Sequence, residues 1–137
     1  MSQVQQQGTY SLRTHLEDVS YDAAVEKVTG ALKEEGFGIL STIDVKSTLK
    51  EKLDADFRPY VILGACNPPL AKQALDAELE LGLLLPCNVI VYADESGTGS
   101  VVSAVEPHAM LGVVQNPDLA PIADDVRERL TRALESL

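Results

Sequence analysis

A predicted hairpin in the second half of the chain constrains the fold more than any other feature. Two runs rich in β-branched residues, residues 88–94 and 100–106, are separated by residues 95–99, which include two glycines. Connections of this length and glycine content join antiparallel strands. The hairpin therefore favours a mostly antiparallel sheet and makes a parallel, doubly wound sheet the weaker alternative.

Three further segments have the pattern of strands. Polar and larger side chains alternate over residues 9–16, which is typical of a half-exposed strand. Residues 37–44 are rich in apolar and β-branched side chains and predict the next strand. The continuous apolar run at residues 60–66 fits a strand that is buried on both faces, so we place it near the centre of the sheet.

Apolar residues at helical spacing predict four helices. Capping residues and prolines mark where the helices start, and glycines mark two of their ends. The four are a helix from Tyr21 to Gly36, a short helix after Asp44, a helix from the cap residue Asn67 to Gly82, and a last helix that starts at Asn116 and Pro117. The resulting order, β-α-β-(α)-β-α-β-β-α, is that of an α+β protein with helices against one face of the sheet.

Length and charge limit the class of protein. A chain of 137 residues fits one domain, and we expect a single domain over residues 9–137 behind a disordered tail at residues 1–8. No apolar run reaches the roughly 20 residues of a membrane helix, so we expect a cytoplasmic protein without a membrane partner. The net charge of −10, from 21 acidic and 11 basic residues, disfavours nucleic acid as a partner.

The two cysteines are the candidate reactive groups. Cys66 ends the buried strand and precedes a helix N-terminus, where peptide dipoles favour a thiolate. Cys87 lies at the start of the following strand. If these strands are antiparallel neighbours, both cysteines lie at the same end of the sheet, whereas a parallel crossover would separate them. The alternative hypothesis is that both cysteines are small buried apolar residues without chemistry.

Other residues extend this candidate site, which could hold a small ligand, a thiol partner, a metal or haem. Asn67 and Asn88 directly follow the two cysteines, and Tyr92 and His108 are the further candidates. The cofactor, if any, is unknown from the sequence.

The cysteines do not have a metal-binding spacing. Positions 66 and 87 are 21 residues apart, and the chain has no C-x-x-C motif. His108 is the one plausible third ligand beside Cys66 and Cys87. Because it follows a proline at a strand end, it is equally compatible with an exposed loop.

The sequence contains no complete catalytic motif. Residues 97–99, Gly-Thr-Gly, follow a strand but lead into another strand, which is the context of a hairpin loop and not of a dinucleotide-binding turn. There is no phosphate-binding loop and no G-x-S-x-G elbow. We therefore favour a protein that is not an enzyme.

Two segments of the sequence carry a family resemblance. Residues 62–71, ILGACNPPLA, and residues 82–89, GLLLPCNV, strongly resemble the family called domain of unknown function 302. The resemblance covers about residues 12–137, and its specific part lies within residues 36–107. The motif positions present in this chain are Gly64, Cys66, Asn67, Pro68, Leu85, Pro86, Cys87, Asn88 and Pro107.

The resemblance implies both a fold and an assembly. The fold is β-α-β(4)-α, like that of the TATA-box-binding-protein class, here with extra short helices, and the assembly is a homodimer. An apolar face on an edge strand, or on the short helix with Val45, Leu49 and Leu53, would give the dimer a physical reason. Likeness to a DNA-binding fold does not transfer DNA binding, particularly to a chain this acidic.

Two hypotheses about function follow from these observations. In the first, the chain is a homodimeric module that binds a small ligand, metal or haem, or acts as a thiol-redox protein, at the Cys66 and Cys87 end of the sheet. In the second, it is a non-enzymatic structural or protein-interaction domain in which both cysteines are buried structural residues.

Overall fold

One antiparallel sheet organises residues 4–137, the part of the chain that the computed structural model describes. The strands are β1 (Gln5–Gln7), β2 (Ser11–Leu16), β3 (Gly38–Asp44), β4 (Tyr60–Cys66), β5 (Cys87–Ala93) and β6 (Ser100–Val105). Their order in the sheet is β1-β2-β6-β5-β4-β3, and every neighbouring pair is antiparallel. The predicted mostly antiparallel sheet is confirmed, as is the hairpin that joins β5 to β6.

The described residues also form five α-helices and two short 3-10 helices. The α-helices are α1 (Tyr21–Glu34), α2 (Val45–Leu53), α3 (Pro68–Ala77), α4 (Pro107–Gly112) and α5 (Ala120–Glu135), and the 3-10 helices span Leu79–Leu84 and Pro117–Leu119. Elements β2, α1, β3 to β6 and α5 form the expected β-α-β(4)-α order, with α2, α3 and α4 as the extra short helices. None of the helices within residues 4–137 is both long and apolar enough to cross a bilayer.

Strand register explains why the core lies on one face of the sheet. Cross-strand partners share a face, and one row of partners runs across four strands. This row consists of Leu12, Ala104, Val89 and Leu63, each at most 2% exposed. Helices α1 and α5 cover it with apolar stripes that include Val28 and Leu130, both fully buried. The core is therefore aliphatic and lies between the sheet and these two helices.

The opposite face of the sheet is more accessible and more polar. Its equivalent row across the same strands is His15, Val101, Tyr92 and Tyr60. Within this row only Val101 is buried, while His15 is exposed and both tyrosines are half-buried. We call this the open face.

Two element boundaries differ from the predictions. Gly82 does not end α3, because Glu78 adopts an extended backbone conformation and stops the helix at Ala77, and a 3-10 helix follows. Pro107 does follow the end of β6, but it also starts α4, since Glu106 caps the first turn by accepting a hydrogen bond from the Ala109 N–H at 2.9 Å.

The N-terminal segment differs in part from the predicted disordered tail at residues 1–8. Residues 1–3 lie outside the described residues. Residues Gln5–Gln7 form β1, which pairs with β2 so that Gln5 lies opposite Arg13. The sheet therefore begins before residue 9, the predicted start of the domain.

Close packing between Gly64 and Pro86 joins the two signature segments. Pairing of β4 with β5 places Gly64 opposite Asn88. A Cβ atom on Gly64 would lie 2.8 Å from the Pro86 Cγ and would collide with the Ser41 hydroxyl oxygen on β3. Glycine is thus the residue that fits here, because a larger side chain would have to displace the Pro86 ring and the Ser41 side chain.

Substituting Gly64 tests this packing. We expect Gly64→Ala to lower the free energy of unfolding by about 1–3 kcal/mol, the usual cost of forcing extra atoms into a packed site. Gly38→Ala on the neighbouring strand is the matched control, because its Cβ would meet no atom within 4 Å. Its effect should stay within about 0.5 kcal/mol. Denaturant titrations measure both, and equal stability of the two variants would contradict the packing described here.

Candidate functional site

The two cysteines lie at the same end of neighbouring antiparallel strands. Cys66 is the last residue of β4 and Cys87 is the first residue of β5, where it lies opposite Ala65. The sequence-based hypothesis required this antiparallel arrangement for the two cysteines to share a site. Both thiols are free, with Cys66 half-buried and Cys87 buried.

The surroundings of Cys87 disfavour a reactive thiolate. Burial, and to a smaller extent the nearby Cys66, raise the pKa of the Cys87 thiol to about 11. A thiol with this pKa stays protonated at neutral pH, whereas nucleophilic and ligating cysteines act as thiolates. This pKa favours the hypothesis that Cys87 is a small apolar residue without chemistry.

An apolar cavity of about 300 Å³ lies beside the cysteines. It is lined by residues of β3, α3, the 3-10 helix Leu79–Leu84, α4, α5 and the adjoining ends of β4 and β5. The larger side chains in its wall include Leu70, Leu75, Leu81, Leu111, Ile122 and Val126. No charged side chain lines it, and its polar side chains are Asn67 and the two thiols. The cavity can thus accept an uncharged apolar group but offers little to a charged one.

Asn67, in the cavity wall, is hydrogen-bonded to backbone groups of α3 and of the residue that follows α1. Its Oδ1 accepts a hydrogen bond from the Leu70 N–H at 3.3 Å and caps α3, while its Nδ2 donates to the Glu35 carbonyl oxygen at 3.4 Å. Gly36 has a φ of +86°, and a Cβ there would lie 2.9 Å from Asn67 Nδ2. Both ends of the buried amide are therefore used in holding the start of α3 against the end of α1.

Two of the other predicted site residues lie on the open face and do not join the cavity. Asn88 is exposed and lies opposite Gly64 in the neighbouring strand. It follows Cys87 directly and therefore points to the other face of the sheet, because successive residues of a strand point to opposite faces. Tyr92 is near the far end of β5, where its ring stacks on Tyr60 with centroids 5.4 Å apart. Cys66, Asn67 and Cys87 are thus the three predicted residues that the structure brings together.

His108 lies on α4, so the predicted loop at this position is wrong, whereas its predicted exposure is confirmed. It belongs to a different cavity. Its Nε2 is 2.8 Å from Asp124 Oδ1 on α5, and its side chain lines a separate cavity of about 310 Å³. The candidate metal set of Cys66, Cys87 and His108 is therefore not assembled. Across residues 4–137 no group of three His, Cys, Asp or Glu side chains is placed to hold a metal ion.

Asp94, at the start of the hairpin loop, accepts several hydrogen bonds and was not among the predicted site residues. Asp94 accepts hydrogen bonds from the Ser96 hydroxyl at 2.6 Å and from the Gly97 and Gly99 N–H groups, and its Oδ2 lies 2.7 Å from His15 Nε2. The hydrogen bonds from Ser96 and then from His15 are the main reasons that the pKa of Asp94 falls to about 2. The loop's glycines and serine are visible in the sequence, but the His15 contact depends on how β2 pairs with β6.

Comparison with known proteins identifies relatives in sequence and in structure. A family model described as Domain of unknown function DUF302 matches residues 12–137. A solved structure described as uncharacterized conserved protein DUF302 from Bacillus stearothermophilus is similar, with a TM-score of 0.85 and 32% sequence identity. The similarity covers 93% of this chain and 98% of that one. No curated protein matches the chain.

The raised pKa of Cys87 predicts slow alkylation. Relative to a thiol with the ordinary value of 9.0, a pKa of about 11 lowers the thiolate fraction roughly a hundredfold at neutral pH. We expect Cys87 in a Cys66→Ala variant to react with iodoacetamide at least roughly a hundredfold more slowly in the native protein than in urea. Mass spectrometry over time measures both rates. Equal rates in the two states would show that Cys87 is an accessible, reactive thiol.

Proposed function

The chain belongs to the family Domain of unknown function DUF302, and we propose that it is a small-ligand-binding module whose ligand is an uncharged apolar molecule. The apolar cavity beside Cys66 and Cys87 is the observation that carries the proposal. Ligand sites are typically concave, largely apolar and lined by a few polar groups, with volumes of about 300–1,000 Å³. This cavity has that composition and lies at the small end of that range.

The size and lining of the cavity restrict the ligand. A volume of about 300 Å³ has room for roughly ten groups of the size of a water molecule, each of which occupies about 30 Å³ in the liquid. Because the wall contains no charged side chain, an ionised ligand would lose hydration without gaining a partner. The ligand we propose is therefore neutral, with about ten non-hydrogen atoms.

The proposal favours binding over thiol chemistry for the cysteines. The raised pKa of Cys87 opposes a thiolate, and His108 pairs with Asp124 in place of joining a metal or haem iron beside the thiols. We assign Cys66 and Cys87 to the cavity wall as small, polarizable apolar residues. We also place the module in the cytoplasm, where two free thiols so near each other would stay reduced.

The proposed assembly is a homodimer formed at the β3 edge of the sheet. β3 is seven residues long and has one strand neighbour among the described residues, β4. An edge strand of this length presents unpaired backbone groups on which another chain can pair. Exposed apolar side chains lie along it and on adjacent α2, namely Leu40 (69%), Ile43 (48%) and Leu53 (70%). A second copy of the chain would cover them.

Filling the cavity tests the proposed function. We expect 1-octanol, which is neutral and has nine non-hydrogen atoms, to bind in an NMR titration, and the octanoate anion to bind more weakly. Ala71 lines the cavity, so Ala71→Leu should weaken octanol binding at least about tenfold by occupying the space.

Gln73→Leu is the matched control for this experiment. It adds the same side chain to the same helix at an exposed position outside the cavity wall, and octanol should still bind to it. Failure of octanol to bind the unsubstituted protein, or equal binding by the two variants, would contradict the proposal.

A charge on the β3 edge tests the proposed dimer. Light scattering should give twice the 14.7 kDa monomer mass at micromolar concentration for the unsubstituted chain. Ile43→Lys should give the monomer mass, because an unpaired charge would be buried at the edge. Val113→Lys, at another exposed apolar position, should stay dimeric. A monomeric unsubstituted chain, or a dimeric Ile43→Lys variant, would contradict this assembly.

A further inference from the structure

A groove larger than either cavity described above lies on the open face, separate from the apolar cavity. Its volume is about 680 Å³, and it adjoins the loop that joins β5 to β6. Tyr92 and Val101 contribute its apolar surface, while charged side chains of both signs contribute most of the rest. None of the residues that line the apolar cavity lines this groove.

The groove contains two arginines that have no carboxylate partner among the described residues. The other three arginines each have one: Arg127 is 3.2 Å from Glu106, Arg129 is 2.8 Å from Asp125, and Arg132 is 2.9 Å from Glu35. Arg13 and Arg58 have no carboxylate oxygen within 4.0 Å among the described residues, although acidic residues outnumber basic ones by 21 to 11. Both therefore have guanidinium groups available to a ligand.

Two uncharged groups, a carbonyl oxygen and an aromatic ring, hold Arg58 in place, so its positive charge has no negative partner among the described residues. Its Nη1 donates to the Ala93 carbonyl oxygen at 3.2 Å, and its guanidinium lies 5.9 Å from the centre of the Tyr92 ring. Tyr92 in turn stacks on Tyr60. A guanidinium has five N–H donors, so most of those of Arg58 remain free for a carboxylate.

Carboxylates without partners line the same groove. Glu17 and Asp18 follow β2 directly, and Glu95 follows β5 and Asp94. Within residues 4–137 none of the three has a cationic nitrogen within 4.0 Å. The charge of Asp94, by contrast, is already met by its own loop and by His15.

We infer that this groove binds a small zwitterion of the amino-acid class. Its carboxylate would lie on Arg13 and Arg58, its ammonium on Glu17, Asp18 and Glu95, and its side chain on Tyr92 and Val101. A ligand with one charge would leave the opposite charges of the groove unmatched, whereas a zwitterion satisfies both sets. This inference does not depend on the proposed function, since site and ligand chemistry both differ.

Three related probes separate the contributions of the two ligand charges. L-phenylalanine carries both charges, phenethylamine lacks the carboxylate, and N-acetyl-L-phenylalanine lacks the ammonium. In NMR titrations of the full chain we expect phenylalanine to bind with shifts at the amides of Arg13, Tyr92 and Gly97. Each single-charge probe should bind at least about fivefold more weakly, since it loses one set of charge-assisted hydrogen bonds. Equal affinity for the three probes, or no binding at low-millimolar concentration, would overturn the inference.

Charge-neutralising variants test whether phenylalanine binds in this groove. Arg13→Gln and Glu17→Gln should each weaken phenylalanine binding about threefold to tenfold, because the contacts are partly exposed to solvent. Lys27→Gln and Glu26→Gln on α1 are matched controls that remove the same charges outside the groove, and they should leave binding unchanged. Equal effects of the groove and control variants would overturn the inference. A change of molecular mass in Arg13→Gln would do so as well, by showing that a second copy occupies the groove.

Discussion

The antiparallel pairing of β4 with β5 is the interaction on which the rest of the structure depends. Its register puts Ala65 opposite Cys87 and lets Pro86 pack on Gly64. A slip of one residue would turn Cys87 from the cavity to the open face and place a side chain beneath the Pro86 ring. The two signature segments, which are separated in sequence by residues 72–81, thus act as one structural unit that closes one end of the sheet and forms part of the cavity wall.

Much of the fold follows from local sequence patterns, because those patterns report burial directly. The glycine-containing hairpin identified the antiparallel sheet. The apolar run that became β4 was correctly predicted as a strand, but it lies next to the edge strand β3 and not near the centre of the sheet. Boundaries that depend on one residue were harder to predict. A proline after a strand can end the strand, start a helix, or do both. Pro107 does both here, because Glu106 caps the helix that begins at Pro107. The extended backbone of Glu78 ends α3. Glutamate does not favour this conformation over a helical one, so its sequence position did not predict the end of the helix.

The candidate site was recovered in part, and the reasons are geometric. Cys66 and Cys87 meet because strand ends of an antiparallel pair are neighbours. Asn88 and Tyr92 do not join them, because even-numbered and odd-numbered residues of β5 face opposite sides of the sheet. The contacts of His108 with Asp124, and of His15 with Asp94 79 residues away, arise from helix packing and strand order that no local pattern encodes.

We propose that the cysteine-containing signature frames an apolar cavity and not a reactive thiol pair. A crystal structure of the protein under xenon pressure tests it most directly, since cavities lined by aliphatic side chains bind xenon. We expect a xenon atom among Leu81, Leu111 and Cys87, with both thiols free. Ordered waters hydrogen-bonded to the two thiols, with no xenon in the cavity, would contradict it.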